Sequence, residues 1–191
     1  MIPPERFDLR TIAPQPWKNG AGLTREIAFG GPSAADFDWR LSVAEVERDA
    51  PFSAFPGIDR SITLLRGAGM RLRALDGSID HALTTPLAPF AFSGDGALTA
   101  TLAGGASTDF NVMTRRGRWR GEVSVQRDAA ELPDADATLL LCCDGEWRIG
   151  AETLAPLQAL LWRAPRGVLG IRPVAAKAAL LFVRLCQDQL P

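Results

Sequence analysis

Glycine and proline interrupt this chain at intervals of roughly eight to twelve residues, and between the interruptions few windows sustain an apolar repeat of 3.6 residues. Fourteen prolines and eighteen glycines make the pattern. A helix that pays for its own nucleation needs a longer amphipathic run than these segments offer, so long helices are not expected. Short antiparallel strands, closed into a sandwich or barrel, are the architecture this spacing predicts. The 47% apolar and 23% charged composition supplies a continuous core for it.

Period-two alternation then marks individual strands. Ile27 and Phe29 share one face of Arg25 to Phe29, and Trp39, Leu41 and Val43 lie opposite Arg40 and Ser42. Ser61 to Arg66 runs into Gly67-Ala68-Gly69 and on through Met70 to Ala74, which predicts a hairpin. The same design returns at Thr138 to Cys143, Asp144-Gly145 and Glu146 to Ile149. A strand, a glycine turn and an alternating strand thus occur twice, and the chain is expected to consist of two similar halves, residues 1–117 and 118–191, packed as one unit. Arg127 to Pro133, near the boundary, reads as loop or a single turn.

Charge and apolar content exclude several classes. Lys and Arg number 21 against 22 Asp and Glu, a formal net charge of −1 with no basic run, so a nucleic-acid partner is not expected. The longest apolar stretch, Ala137 to Cys143, falls far short of the roughly 20 residues of a membrane span. The N-terminus has no basic start followed by an apolar run, and the cysteines, three in number, form no Cys-x-x-Cys pair. A reducing cytoplasm fits, with Cys142 and Cys143 as small buried residues on opposite faces of a strand.

His81 is the only histidine, and tyrosine is absent. Mechanisms that need several imidazoles are therefore closed, and His81 itself follows Asp76-Gly77 in what reads as a polar, solvated loop. No bound metal and no cofactor are expected; Gly67-Ala68-Gly69 joins two strands and opens no helix, as a nucleotide loop would. The remaining candidates are polar residues at strand and turn positions. Lys18, Asn19 and two glycines stand just before a strand carrying Thr24 and Glu26. Asp109, Asn111, Met113 and Arg115 align along one face of another strand, and Arg40 and Ser42 form a similar row. Pro51 to Arg60 is turn-rich, holds two phenylalanines suited to a rim over a ligand, and delivers Asp59 and Arg60 to a strand start. Arginine forks match carboxylates, so a small carboxylate is the expected ligand class, with Arg40, Arg60 and Arg115 as its partners and Lys18, Asn19, Thr24, Ser42, Asp109 and Asn111 as further polar groups of the site.

Five ordered blocks carry a resemblance: Pro16-Trp-Lys-Asn-Gly-Ala-Gly-Leu-Thr-Arg-Glu-Ile27, Asp38-Trp-Arg-Leu-Ser42, Pro51-Phe-Ser-Ala-Phe-Pro-Gly-Ile-Asp-Arg60, Phe92-Ser-Gly-Asp95 and Asp109-Phe-Asn-Val-Met-Thr-Arg-Arg116. In these the chain is similar to the HutD/Ves family, with Ala21 where the family pattern usually has a third glycine. The resemblance implies an all-β, two-cupin, jelly-roll-like fold with few short helices. It also implies a metal-free barrel, because Pro56-Gly-Ile-Asp59 stands where metal-binding cupins place histidines. It further implies a role in histidine utilisation, sensing or limiting flux by binding an intermediate such as N-formylglutamate or urocanate. Two other readings stay open: a metal-independent acid-base enzyme on a small carboxylate, using Asp109, Glu26 or Lys18, and a protein-interaction module. A homodimer is left open as well.

Overall fold

A computed structural model describes residues 3–188 of the chain. Among them there is no helix, and hence none long and apolar enough to cross a membrane; the few short helices expected are replaced by turns and by more strands. The strands are β1 (Glu5–Asp8), β2 (Gln15–Pro16), β3 (Gly22–Gly30), β4 (Trp39–Val46), β5 (Ala50–Phe52), β6 (Ile58–Arg66), β7 (Met70–Ala74), β8 (Asp80–Leu83), β9 (Pro89–Ser93), β10 (Leu98–Leu102) and β11 (Ser107–Arg115). They continue as β12 (Trp119–Gln126), β13 (Ala130–Leu132), β14 (Ala137–Asp144), β15 (Trp147–Ile149), β16 (Glu152–Leu154), β17 (Gln158–Trp162), β18 (Leu169–Pro173) and β19 (Ala179–Gln187). The segment around Arg127 to Pro133, expected as loop, thus contains an edge strand.

Contacts divide the described residues into two units, one of Ala13–Trp119 and one formed by residues 3–12 together with residues 120–188. Residues 3–12 therefore go with the C-terminal unit, because β1 pairs antiparallel with β17, Phe7 opposite Ala159. Nothing local to residues 5–8 announces that long-range pairing, which is why the expected first half began at residue 1.

In the N-terminal unit one sheet has the order β2-β3-β4-β11-β6-β9 and the other β5-β10-β7-β8. Ile62 and Leu64 of the first sheet meet Leu72, Leu98 and Ala100 of the second in one buried cluster, and each such side chain contributes about 1.5–3 kcal/mol by leaving water. The C-terminal unit repeats the plan: β12-β19-β14-β17 follows β4-β11-β6-β9, and β13-β18-β15-β16 follows β5-β10-β7-β8, every label advanced by eight, with β1 added beside β17. Its core joins Leu140, Leu160 and Leu180 to Leu132, Ile149 and Leu169.

The two expected hairpins are corrected. β6 pairs with β11 and β9, whereas β7 pairs with β10 and β8, so the turn at Gly67 to Gly69 carries the chain from one sheet to the other. β14 and β15 are related in the same way. The turn chemistry is nonetheless as read: Gly69 sits at φ 84, and a Cβ there would overlap the carbonyl oxygen of Leu83. A tight turn specifies a reversal, not which sheet receives the returning strand. His81 is likewise not in a loop but in β8, opposite Leu72 and stacked on Phe90 with ring centroids 3.7 Å apart.

Candidate functional site

Strand register decides which polar residues share a space. On β6, Ile62 and Leu64 point into the core of the N-terminal unit, so Arg60, two residues back, points the same way. Across from these on β11 lie Met113, Asn111 and Asp109, opposite Arg60, Ile62 and Leu64 respectively. Arg40, Ser42 and Ala44 of β4 face Met113, Asn111 and Asp109, and Glu26 and Thr24 of β3 complete the row opposite Ser42 and Ala44. The interior face of the larger sheet is thus polar toward one end, while Leu41, Val43, Phe110 and Val112, on its other face, are buried as well.

Arg60 is the centre of this arrangement. It is only 7% exposed, its Nη2 donates to Asn111 Oδ1 at 2.9 Å, and no carboxylate forms an ion pair with it among the described residues. Phe92, Phe55 and Phe52 surround the guanidinium, their ring centroids 5.1, 5.5 and 5.9 Å from its carbon. Cation–π attraction offsets part of the lost hydration. Burial nevertheless pulls the Arg60 pKa down to about 10, with Asp109 opposing that and Arg40 adding to it; the group is still charged at neutral pH. Asn111 passes the chain on, its Nδ2 donating to Asp109 Oδ1.

Asp109 is fully buried, and desolvation pushes its carboxyl up to about 7, against smaller downward pulls from Arg60 and the Asn111 amide. Asp109 Oδ2 and Arg60 Nε have no hydrogen-bond partner among the described residues. An orphaned acceptor or donor at full burial is costly, and both atoms have capacity for a further hydrogen bond.

The other candidates divide into those that join this row and those that do not. Arg40 Nε donates to Glu26 Oε2 at 2.7 Å, with both side chains under one-fifth exposed. Ser42 is buried between Asn111 and Glu26 in register. Thr24 Oγ1 accepts the Trp17 indole N–H at 2.8 Å, and that indole packs edge-on against Phe52 at 5.6 Å. Lys18 and Asn19, by contrast, are exposed, and Asn19 Oδ1 accepts from the Ala21 amide, which makes it a turn-former. The Arg115 guanidinium is spent on the Phe37 carbonyl and on Asp36, at 2.9 and 2.8 Å from Nη2, where it fastens the loop before β4. Asp59, adjacent to Arg60 and so on the opposite face, pairs with Arg116 instead. Phe52 and Phe55, read from the sequence as a rim over a ligand, lie against Arg60, whereas Phe92 and Trp17, each in one of the quoted motif blocks, were not assigned to the site. An open groove lined by Glu131, Arg148, Gly150, Gly170, Ile171 and Arg172 lies in the C-terminal unit and takes in none of these residues.

The donor set of the polar row does not fit a metal ion. A guanidinium stands in its middle, the Asp109 carboxyl favours its protonated form up to neutrality, and the Glu26 carboxylate is held by Arg40. No group of three or more His, Cys, Asp or Glu among the described residues is placed to hold one.

The family model for HutD matches residues 9–182. The chain belongs to the HutD family. Protein Ves of Citrobacter koseri is 36% identical to this HutD-family chain over 179 residues, 93% of the chain and 92% of the relative. HutD from Pseudomonas fluorescens SBW25 is 29% identical and superposes with a TM-score of 0.86 over 97% of this chain and 99% of that one. A cupin barrel-domain protein from Leptotrichia buccalis, 7% identical, superposes at a TM-score of 0.58 over 98% of each chain and shows the fold alone. This HutD-family protein is therefore all-β with a cupin-type architecture, as its sequence blocks implied.

Proposed function

We propose that this protein binds a small carboxylate metabolite inside the barrel of residues 13–119 and acts as a sensor. The observation that carries the reading is Arg60: a buried guanidinium without an ion-pair partner among the described residues, walled by three aromatic rings, its Nε orphaned, and linked through Asn111 to Asp109, whose Oδ2 is orphaned too. Leaving such a cation unpaired in a dry interior is expensive, and a carboxylate with two hydrogen-bonding oxygens offsets that cost. Asp109 in its neutral form supplies an O–H donor next to the incoming anion. Arg40, held by Glu26, keeps a second guanidinium near the same space.

Membership of the HutD family supports an intermediate of histidine utilisation, N-formylglutamate or urocanate, as the ligand, and a regulatory or flux-limiting role for its capture. Thermal unfolding against N-formylglutamate, urocanate, histidine, glutamate and formate tests this. Ligand at about one hundred times its Kd stabilises by about 2.7 kcal/mol, a rise of roughly 5–10 °C in Tm for a chain of this size. A selective, saturable rise is expected; no rise with any of the five sinks the reading.

A second reading, a metal-independent acid-base enzyme, is favoured by one observation: the Asp109 carboxyl is pushed up to about 7, matched to proton transfer at neutral pH. NMR of the incubated ligands separates the two, since a sensor yields no new species, whereas an enzyme yields one that disappears with Asp109→Asn.

A further inference from the structure

The internal repeat allows the two barrels to be compared position by position. In the N-terminal unit Arg60 lies opposite Phe92 on one side and Met113 on the other. In the C-terminal unit the same register places Thr138 opposite Trp162 and Arg184. Leu140 and Cys142 on β14, Leu180 and Phe182 on β19, and Trp162 itself belong to the core of that unit. By period two, Thr138 and Arg184 therefore turn toward the same interior. Directly opposed residues on neighbouring strands hold their Cβ atoms about 4.5–5.5 Å apart, so Thr138, Trp162 and Arg184 form one contiguous row.

Arg166, in the loop after β17, joins them. Its guanidinium carbon lies 5.7 Å from the Trp162 ring centroid, and the residue is only 6% exposed. Its Nη1 and Nη2 donate to the carbonyl oxygens of Gly167 and Pro133, and its main-chain N–H donates to Asp134. Arg184 Nη1 donates to Glu122 at 2.8 Å. The nitrogens that remain are the instructive ones. Arg166 Nε, Arg184 Nε, Trp162 Nε1 and Thr138 Oγ1 are all buried without a hydrogen-bond partner among the described residues. Thr138 and Trp162 are themselves 0% and 3% exposed. Trp147 Nε1 is also unpartnered, but it begins β15 beyond the turn at the far end of β14 and lies outside this row.

We infer that the C-terminal barrel carries a second ligand site, built by Thr138, Trp162, Arg166 and Arg184, that takes one small oxyanion of the carboxylate type. Three unpartnered N–H donors and one hydroxyl stand on these four neighbouring residues, two of the donors on permanent cations. A carboxylate offers about four lone-pair directions on two oxygens and answers all of them; a water molecule has two lone pairs and a cation none. The site is independent of Arg60, whose position in this barrel is taken by Thr138.

The test uses the full-length protein labelled with ¹⁵N and titrated with sodium acetate, against sodium chloride at equal ionic strength. Five tryptophans give five indole N–H resonances, and Trp162→Phe assigns the one that matters. The expected result is a downfield, saturable shift of the Trp162 resonance with acetate and not with chloride. Arg166→Met weakens acetate at this site at least tenfold, as expected for a hydrogen bond from a charged group, and Arg60→Met leaves it unchanged. Thr138→Val, which keeps the shape and removes the hydroxyl, weakens it by a smaller factor and serves if the arginine variant loses its other four indole signals. A Trp162 resonance that moves equally with chloride, or drifts without saturating, or saturates in both the Arg166 and the Thr138 variants at the same acetate concentration as in the wild type, overturns the inference.

Discussion

Asp109→Asn changes one oxygen to an amide nitrogen at a fully buried position, so its effect reads the ionisation of that carboxyl with little change in packing. Burial raises the group from 3.8 to about 7 in the folded protein. The native state therefore binds more protons than the unfolded chain between those two values. Stability from this group is complete below pH 3.8 and is lost as the pH rises through about 7. One pKa unit is worth about 1.4 kcal/mol, and on that scale the loss between pH 5 and pH 8 comes to about 2–3 kcal/mol. For a chain of this length each kcal/mol moves Tm by about 2–4 °C. The asparagine variant has no such proton. The Tm of wild type minus that of Asp109→Asn, followed by scanning calorimetry from pH 5 to pH 8, should fall by roughly 5–10 °C across the range. A difference that stays flat, or rises with pH, refutes the assignment of a protonated carboxyl to the barrel interior.

Three further outcomes follow from the geometry. Arg115→Leu should lower Tm by a few degrees, because the Phe37 carbonyl and Asp36 lose their partner, while carboxylate affinity stays within about twofold in calorimetric titration; the sequence alone assigned Arg115 to the ligand. Gly22→Ala should destabilise by about 1–3 kcal/mol in urea unfolding, since the new methyl would overlap the Glu45 carbonyl oxygen where β3 pairs with β4. Burial pushes the Cys142 and Cys143 thiols up to about 12, so both should resist alkylation in the native protein at pH 8 and react only on denaturation, as mass spectrometry would show.

The polar row was legible in part, because a strand's period of two puts Asp109, Asn111 and Met113 on one face of a strand and Arg40 with Ser42 on one face of another; that Arg60 joins them follows only from the folded register, in which Ile62 and Leu64 face inward and β11 lies beside β6. The internal repeat was legible for a similar reason, each half announcing a strand, a glycine turn and an alternating strand. Sheet membership was not legible, since Gly67-Ala68-Gly69 reverses the chain equally well into a hairpin or across to the facing sheet. Nor was the fate of the arginines. Arg40 meets Glu26 fourteen residues away and Arg115 meets Asp36 seventy-nine away, and only the folded sheet determines that Arg60 alone of the three goes without a carboxylate. The aromatic enclosure of Arg60 was legible only in part: the sequence offered Phe52 and Phe55 as a rim, but only the fold brings Phe92 from another strand to join them around this one side chain.

The central claim is that Arg60 is the anchor for a carboxylate, and titration calorimetry of N-formylglutamate into wild type and Arg60→Met tests it most directly. The methionine keeps the packing against the three rings and removes the charge. Saturable binding by wild type, weakened at least tenfold in the variant, is the predicted result; equal affinity in the two proteins would contradict the account.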